Sequence, residues 1–83
     1  MKVIVNVDQW CIDNGFPICA GECPVALALA RATGHDAQVT GSEAFIYNPK
    51  MVAYKLPRIA EDFVIRFDSG QQVEPFTFEL EVL

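Results

Sequence analysis

Histidine, tryptophan and cations are scarce in this sequence. Its 83 residues hold one His, one Trp and six Lys/Arg against eleven Asp/Glu, for a formal charge of −5. A chain this acidic, with a pI near 4.5, makes a poor partner for a nucleic-acid backbone or an anionic membrane. No apolar run approaches the roughly 20 residues needed to cross a bilayer. The first residues, Met1–Val7, alternate and are cut by Asn6 and Asp8, so no secretory leader is expected. The glycines at 15, 21, 34, 41 and 70 are scattered, without the spacing of a phosphate-binding loop. The esterase elbow, the zinc-protease pair and the deaminase signature are missing too.

Enough apolar material remains for one core. Apolar residues make up 52% of the chain and charged residues 20%, which excludes a disordered tail. Size scaling gives burial of about 63% of the unfolded surface, so residues 1–83 are expected to form a single compact domain. Cys11, Cys19 and Cys23 are an odd count confined to the first third, which fits reduced thiols in a cytoplasm better than a disulfide scaffold.

Local signals order the elements as β-α-α-β-β-β-α-β. Lys2–Val7 reads as a strand. Asp8 reads as the N-cap of a short helix, Gln9–Asn14, stopped by Gly15, with Trp10 as its anchor. Pro24 suits the first position of a helix ending at Gly34. That helix is apolar nearly all round and belongs at the centre, with Val25, Leu29 and Ala32 as one stripe. Ala37–Thr40 is a strand, and Ala44–Leu56 a hairpin turning at Asn48-Pro49-Lys50. Arg58–Phe67 forms an amphipathic helix with Ile59, Phe63 and Phe67 inward, and Asp62 pairing with Arg66 outside. In the last strand Phe76, Phe78, Leu80 and Val82 point one way and Thr77, Glu79 and Glu81 the other. The expected fold class is α+β, with one four- or five-stranded antiparallel or mixed sheet, and two main helices and one short helix packed on one face.

Three groups of residues could carry chemistry. Cys11, Cys19 and Cys23 with His35 make a nominal zinc set, but the helix between Cys23 and His35 holds them about 15 Å apart. A three-cysteine site completed by Asp13 or Glu22 remains as the structural-metal alternative, beside a redox-responsive one. A helix N-terminus would lower the Cys23 thiol pKa, yet Glu22 opposes this and no His can reach it, so no catalytic residue is assigned and no cofactor is expected. The acidic residues cluster late in the chain. Glu61, Asp62 and Asp68 on the second main helix and Glu79 and Glu81 on the last strand could form one negative face for a basic protein surface. Trp10, Tyr47, Tyr54 and Ile65 are candidates for an exposed patch.

Longer segments also carry a resemblance. Cys23-Pro24-Val25-Ala26-Leu27-Ala28-Leu29, then Leu56-Pro57 with Phe63-Val64-Ile65-Arg66-Phe67-Asp68-Ser69-Gly70, then Val73-Glu74-Pro75-Phe76-Thr77-Phe78-Glu79-Leu80 resemble a family of small bacteriophage and prophage proteins without an assigned activity. The resemblance implies phage or prophage context and no chemistry. Taken with the net charge of −5 and the missing catalytic constellations, that context leads to the expectation of a non-enzymatic protein-binding module in the host cytoplasm that occludes a basic surface, with inhibition of a host defence system, of the anti-CRISPR kind, as the candidate role. A homo-oligomeric accessory phage protein, joined through the alanine-rich helix or the apolar end at Val82-Leu83, is the further alternative.

Overall fold

A computed structural model describes residues 2–47 and 49–82. The order is β1 (Lys2–Val7), α1 (Gln9–Asn14), α2 (Pro24–Thr33), β2 (Ala37–Thr40), β3 (Glu43–Tyr47), β4 (Met51–Lys55), α3 (Arg58–Asp68) and β5 (Phe76–Glu81). The fold is α+β, as expected. The single sheet is not observed. β1 pairs antiparallel with β5, and β2-β3-β4 form a separate antiparallel meander. The chain thus brings its two ends together, with Lys2 opposite Glu81 and Val7 opposite Phe76. Asn48 of the expected hairpin turn and Leu83 of the expected apolar end lie outside the described residues.

Local chemistry fixes the helix ends. The Asp8 carboxylate accepts from the Cys11 backbone N–H at 3.0 Å and starts α1. Only Cys11 of α1 is buried. Trp10, one residue earlier on a helix that turns 100° per residue, is therefore 57% exposed and does not anchor the turn. At α2 the cap is a sulfur: Cys23 Sγ accepts from Ala26 N–H at 3.4 Å, just ahead of Pro24. Gly34 ends α2 at φ 74°, and its N–H reaches the Ala30 carbonyl. Gly15 closes α1 for another reason. A Cβ there would stand 2.7 Å from the Pro24 ring, so the two helices can approach only through a missing side chain.

α2 is the centre of the molecule. It contacts both β1 and β2, and Val25, Ala26, Ala28 and Leu29 are buried. Its stripe differs from expectation at Ala32, which is exposed. α3 buries Ala60, Phe63 and Val64 and turns Ile59, expected inside, 54% to solvent. The inward face is thus centred one residue later than Ile59-Phe63-Phe67 suggests: Phe63 is the only fully inward member, and Phe67 is half-buried. Phe63 packs against Phe76 with tilted rings, centroids 4.7 Å apart, which ties α3 to β5. In β5 the inward set Phe78, Leu80 and Val82 is buried, and Thr77, Glu79 and Glu81 face out, as the alternation requires.

Hydrogen bonds at the meander's ends set its phase. Tyr47 N–H bonds the Asp36 carbonyl at 3.0 Å, and Leu56 N–H the Ser42 carbonyl at 2.9 Å. In an antiparallel ladder such pairs recur every second residue. The backbone groups of Ser42, Ala44 and Ile46 therefore face β4, and those of Glu43, Phe45 and Tyr47 face β2.

Candidate functional site

Four of the five singled-out carboxylates converge. β5 sends Glu79 and Glu81 outward because Phe78 and Leu80 are taken by the core. α3 sends Glu61 and Asp62 outward because Ala60, Phe63 and Val64 are taken. Together with Lys55, Leu56, Pro57, Arg58, Ile65 and Leu80 they line a shallow groove of about 800 Å³ where β4 runs into α3. Among the described residues, four carboxylates and two cations line it. Ile65 projects among them with 57% of its surface exposed. It was among the patch candidates; Tyr47 and Trp10 are exposed as well, while Tyr54 is half-buried.

Asp68 does not belong to this face. It lies seven residues beyond Glu61, about 10 Å further along the axis, where its carboxylate accepts from Ile18 N–H at 3.0 Å. Asp62 stands 3.9 Å from Arg58, one turn back, rather than pairing with Arg66. Arg58 is 90% exposed, so this ion pair fixes little. Arg66 lines a different groove, with Gln72, Val73, Glu74, Pro75 and Phe76.

The cysteines are free thiols, Cys11 and Cys23 buried and Cys19 exposed. Among the described residues no three His, Cys, Asp or Glu side chains are placed to share a metal ion. Burial is the largest influence on both inner thiols and pushes each above the ordinary value of 9.0. At Cys23 burial outweighs the hydrogen bonds from Ala26 and Val25, which act the other way. The helix terminus therefore holds a neutral thiol as its cap and not an activated thiolate. His35 sits beyond the opposite end of α2, its backbone N–H on Thr33 Oγ1 at 3.3 Å. At Asp8 the Cys11 backbone N–H is the main influence and Arg31, 3.1 Å away, adds to it, so the carboxyl is held below its usual range.

The segment between α1 and α2 was legible only as a loop. Phe16 N–H bonds Glu22 O at 2.8 Å and Glu22 N–H bonds Cys19 O at 3.0 Å, so the loop is pinned at its neck. Ile18 takes φ 59°, an outlier for a β-branched residue, and exposes 82% of its surface. No periodic pattern surrounds it, and only Gly15, Pro17 and Gly21 hinted at an irregular path.

No family model, no curated protein and no solved structure matches the chain. Among the described residues no helix is long and apolar enough to cross a membrane.

Proposed function

We propose that the chain is a non-enzymatic protein-binding module whose α3–β5 groove occupies a basic surface on another protein. The observation that carries this is the convergence of Glu61, Asp62, Glu79 and Glu81 around exposed Ile65. Carboxylates at a rim steer a cationic partner and set register. An apolar side chain among them supplies the contact that excludes water. The resemblance to phage and prophage proteins extends the reading to a host protein in the cytoplasm, a defence nuclease complex with a basic channel being the kind of target such an acidic plug fits. Among the described residues, a metal reading of Cys11, Cys19 and Cys23 has no comparable gathering of ligands behind it.

The test is affinity capture from host lysate with the wild-type chain, with Glu61→Lys/Glu79→Lys, and with Asp13→Lys/Asp36→Lys as a charge-matched control away from the groove. A protein held by wild type and control but lost from the groove variant, and weakened by added salt, supports the reading. The same proteins on all three chains, or none on any, sinks it.

A further inference from the structure

The two outer edges of the meander are treated differently. On β2, the ladder phase turns the Ala37 and Val39 backbone groups outward, and the Val39 N–H is taken by the Ala20 carbonyl at 2.8 Å. The pinned loop before α2 thus closes that edge. On β4 the same phase pairs Val52 with Ile46 and Tyr54 with Ala44, which leaves the N–H and C=O groups of Met51, Ala53 and Lys55 facing out. Among the described residues nothing bonds them. The usual protections of an open edge are thin here: the strand contains no proline, and its single charge, Lys55, is at the end.

We propose that a second copy of the chain covers this edge, β4 against β4 antiparallel, with Ala53 opposite its own equivalent on a two-fold axis. Three features of the strand favour a copy of itself over an unrelated segment. Outward backbone groups spaced symmetrically about Ala53 match in that register, giving roughly six new hydrogen bonds, Met51 with Lys55 of the partner subunit and the reverse. No like charges are opposed, since each Lys55 faces a methionine. On the inner face Val52 and Tyr54, both half-exposed while Ala44 and Ile46 beside them are buried, would each meet the other across the seam. That is an aromatic–β-branched pair at the closer, non-hydrogen-bonded spacing.

Charge supports the same register. Continuing it by one residue sets Lys50 of the partner subunit beside Leu56. Leu56 lines the groove with Glu61, Asp62 and Glu79, so a cation arrives beside carboxylates. The contact is isologous, so it closes at two copies and makes one six-stranded sheet from two meanders. The proposal goes beyond the basic-partner reading and stands without it, because the strand pairing uses main chain.

Sedimentation and native mass measurement over a concentration series test it, with amide exchange as the local readout. The expected species has twice the 9.2 kDa chain mass, and the Met51, Ala53 and Lys55 amides are protected in it. Ala53→Lys opposes two ammonium groups at the axis and is expected to weaken the dimer at least ~10-fold, exposing those amides. Ala53→Pro removes an outward N–H while the β3 ladder keeps Val52 and Tyr54; it should act in the same direction. Lys50→Glu should weaken the dimer a few-fold and more at low salt. Ala53→Lys changes an exposed side chain, so it keeps the question answerable if the proline variant does not fold. A monomer up to about 1 mM, or a dimer indifferent to both Ala53 variants, overturns the proposal.

Discussion

α2 and α3 have nearly the same length, ten and eleven residues, and opposite duties. α2 is capped at both ends, by a thiol and by a left-handed glycine, and it packs on two strands with Pro24, Val25, Ala26, Ala28 and Leu29 buried. α3 begins at Pro57 without a side-chain cap, buries a narrow strip, and turns Glu61, Asp62 and Ile65 toward the groove. Substitutions in α2 should therefore cost folding, and those on the outer face of α3 should cost recognition.

The largest break in that comparison comes from Leu29, fully buried at the centre of α2. Leu29→Ala is expected to destabilise by about 2–5 kcal/mol, since the packed surroundings relax only partly into the cavity. Ile65→Ala, on the exposed side of α3, should change stability by less than about 0.5 kcal/mol. Urea unfolding of the pair measures both, and equal losses would dissolve the distinction between the helices.

The two helix-ending glycines sharpen it next. Gly15→Ala drives a methyl group into the Pro24 ring, 2.7 Å away, and should cost roughly 1–3 kcal/mol through displaced packing at the start of α2. At Gly34 a Cβ meets nothing within 4 Å, so Gly34→Ala carries only the left-handed backbone penalty at φ 74°, about 1 kcal/mol. Thermal or urea midpoints should rank Gly15→Ala below Gly34→Ala. The reverse order would mean that the α1–α2 approach is looser than these distances imply.

A pH effect follows from the thiols of α1 and of the α2 cap. Burial raises both, so the folded chain keeps Cys11 and Cys23 protonated where the unfolded chain begins to ionise them. Their contribution is complete below the ordinary thiol value of 9.0 and is lost as pH rises beyond it. Between about pH 8 and 10 the stability of the wild type should fall more steeply than that of Cys11→Ala/Cys23→Ala. Identical slopes would place those sulfurs in contact with water.

Most element boundaries were legible because their causes are local. Asp8, Pro24 and Gly34 mark helix ends through their own backbone chemistry, and the alternation from Phe76 to Glu81 states which side faces the core. Partnerships were not legible in the same way. That β5 joins β1 and leaves β4 open depends on partners from Val7 and Phe76 outward to Lys2 and Glu81, at opposite ends of the sequence, which no local pattern encodes. Ile59 looked inward by spacing alone; the strip is narrow, and Ala60, a small residue with a weak signal, takes the inward place. Asp68 shared a helix with Glu61, and only the axial distance along α3 separated it from the groove. The carboxylates of α3 and β5 were visible as a set, whereas Lys55 and Arg58 were not, because their place in the groove follows from where β4 ends.

The smallest expected stability change tests the other half of the comparison. Glu61→Lys and Glu79→Lys alter exposed or half-exposed side chains in a groove where like charges are crowded, and each should move stability by no more than about 0.5 kcal/mol. Their effect on a basic partner should be far larger in relative terms, because reversal replaces an attraction with a repulsion at close range. The rate of association should fall most, and it should fall less at high salt, where exposed charges beyond about 8–10 Å no longer act on one another. Asp68→Lys separates charge from place. It reverses a carboxylate on the same helix, but one that holds the Ile18 N–H, so it should loosen the Phe16–Glu22 loop while leaving the association rate close to that of wild type. If Asp68→Lys slows association as much as Glu79→Lys does, net charge alone governs the encounter and the groove has no privileged role.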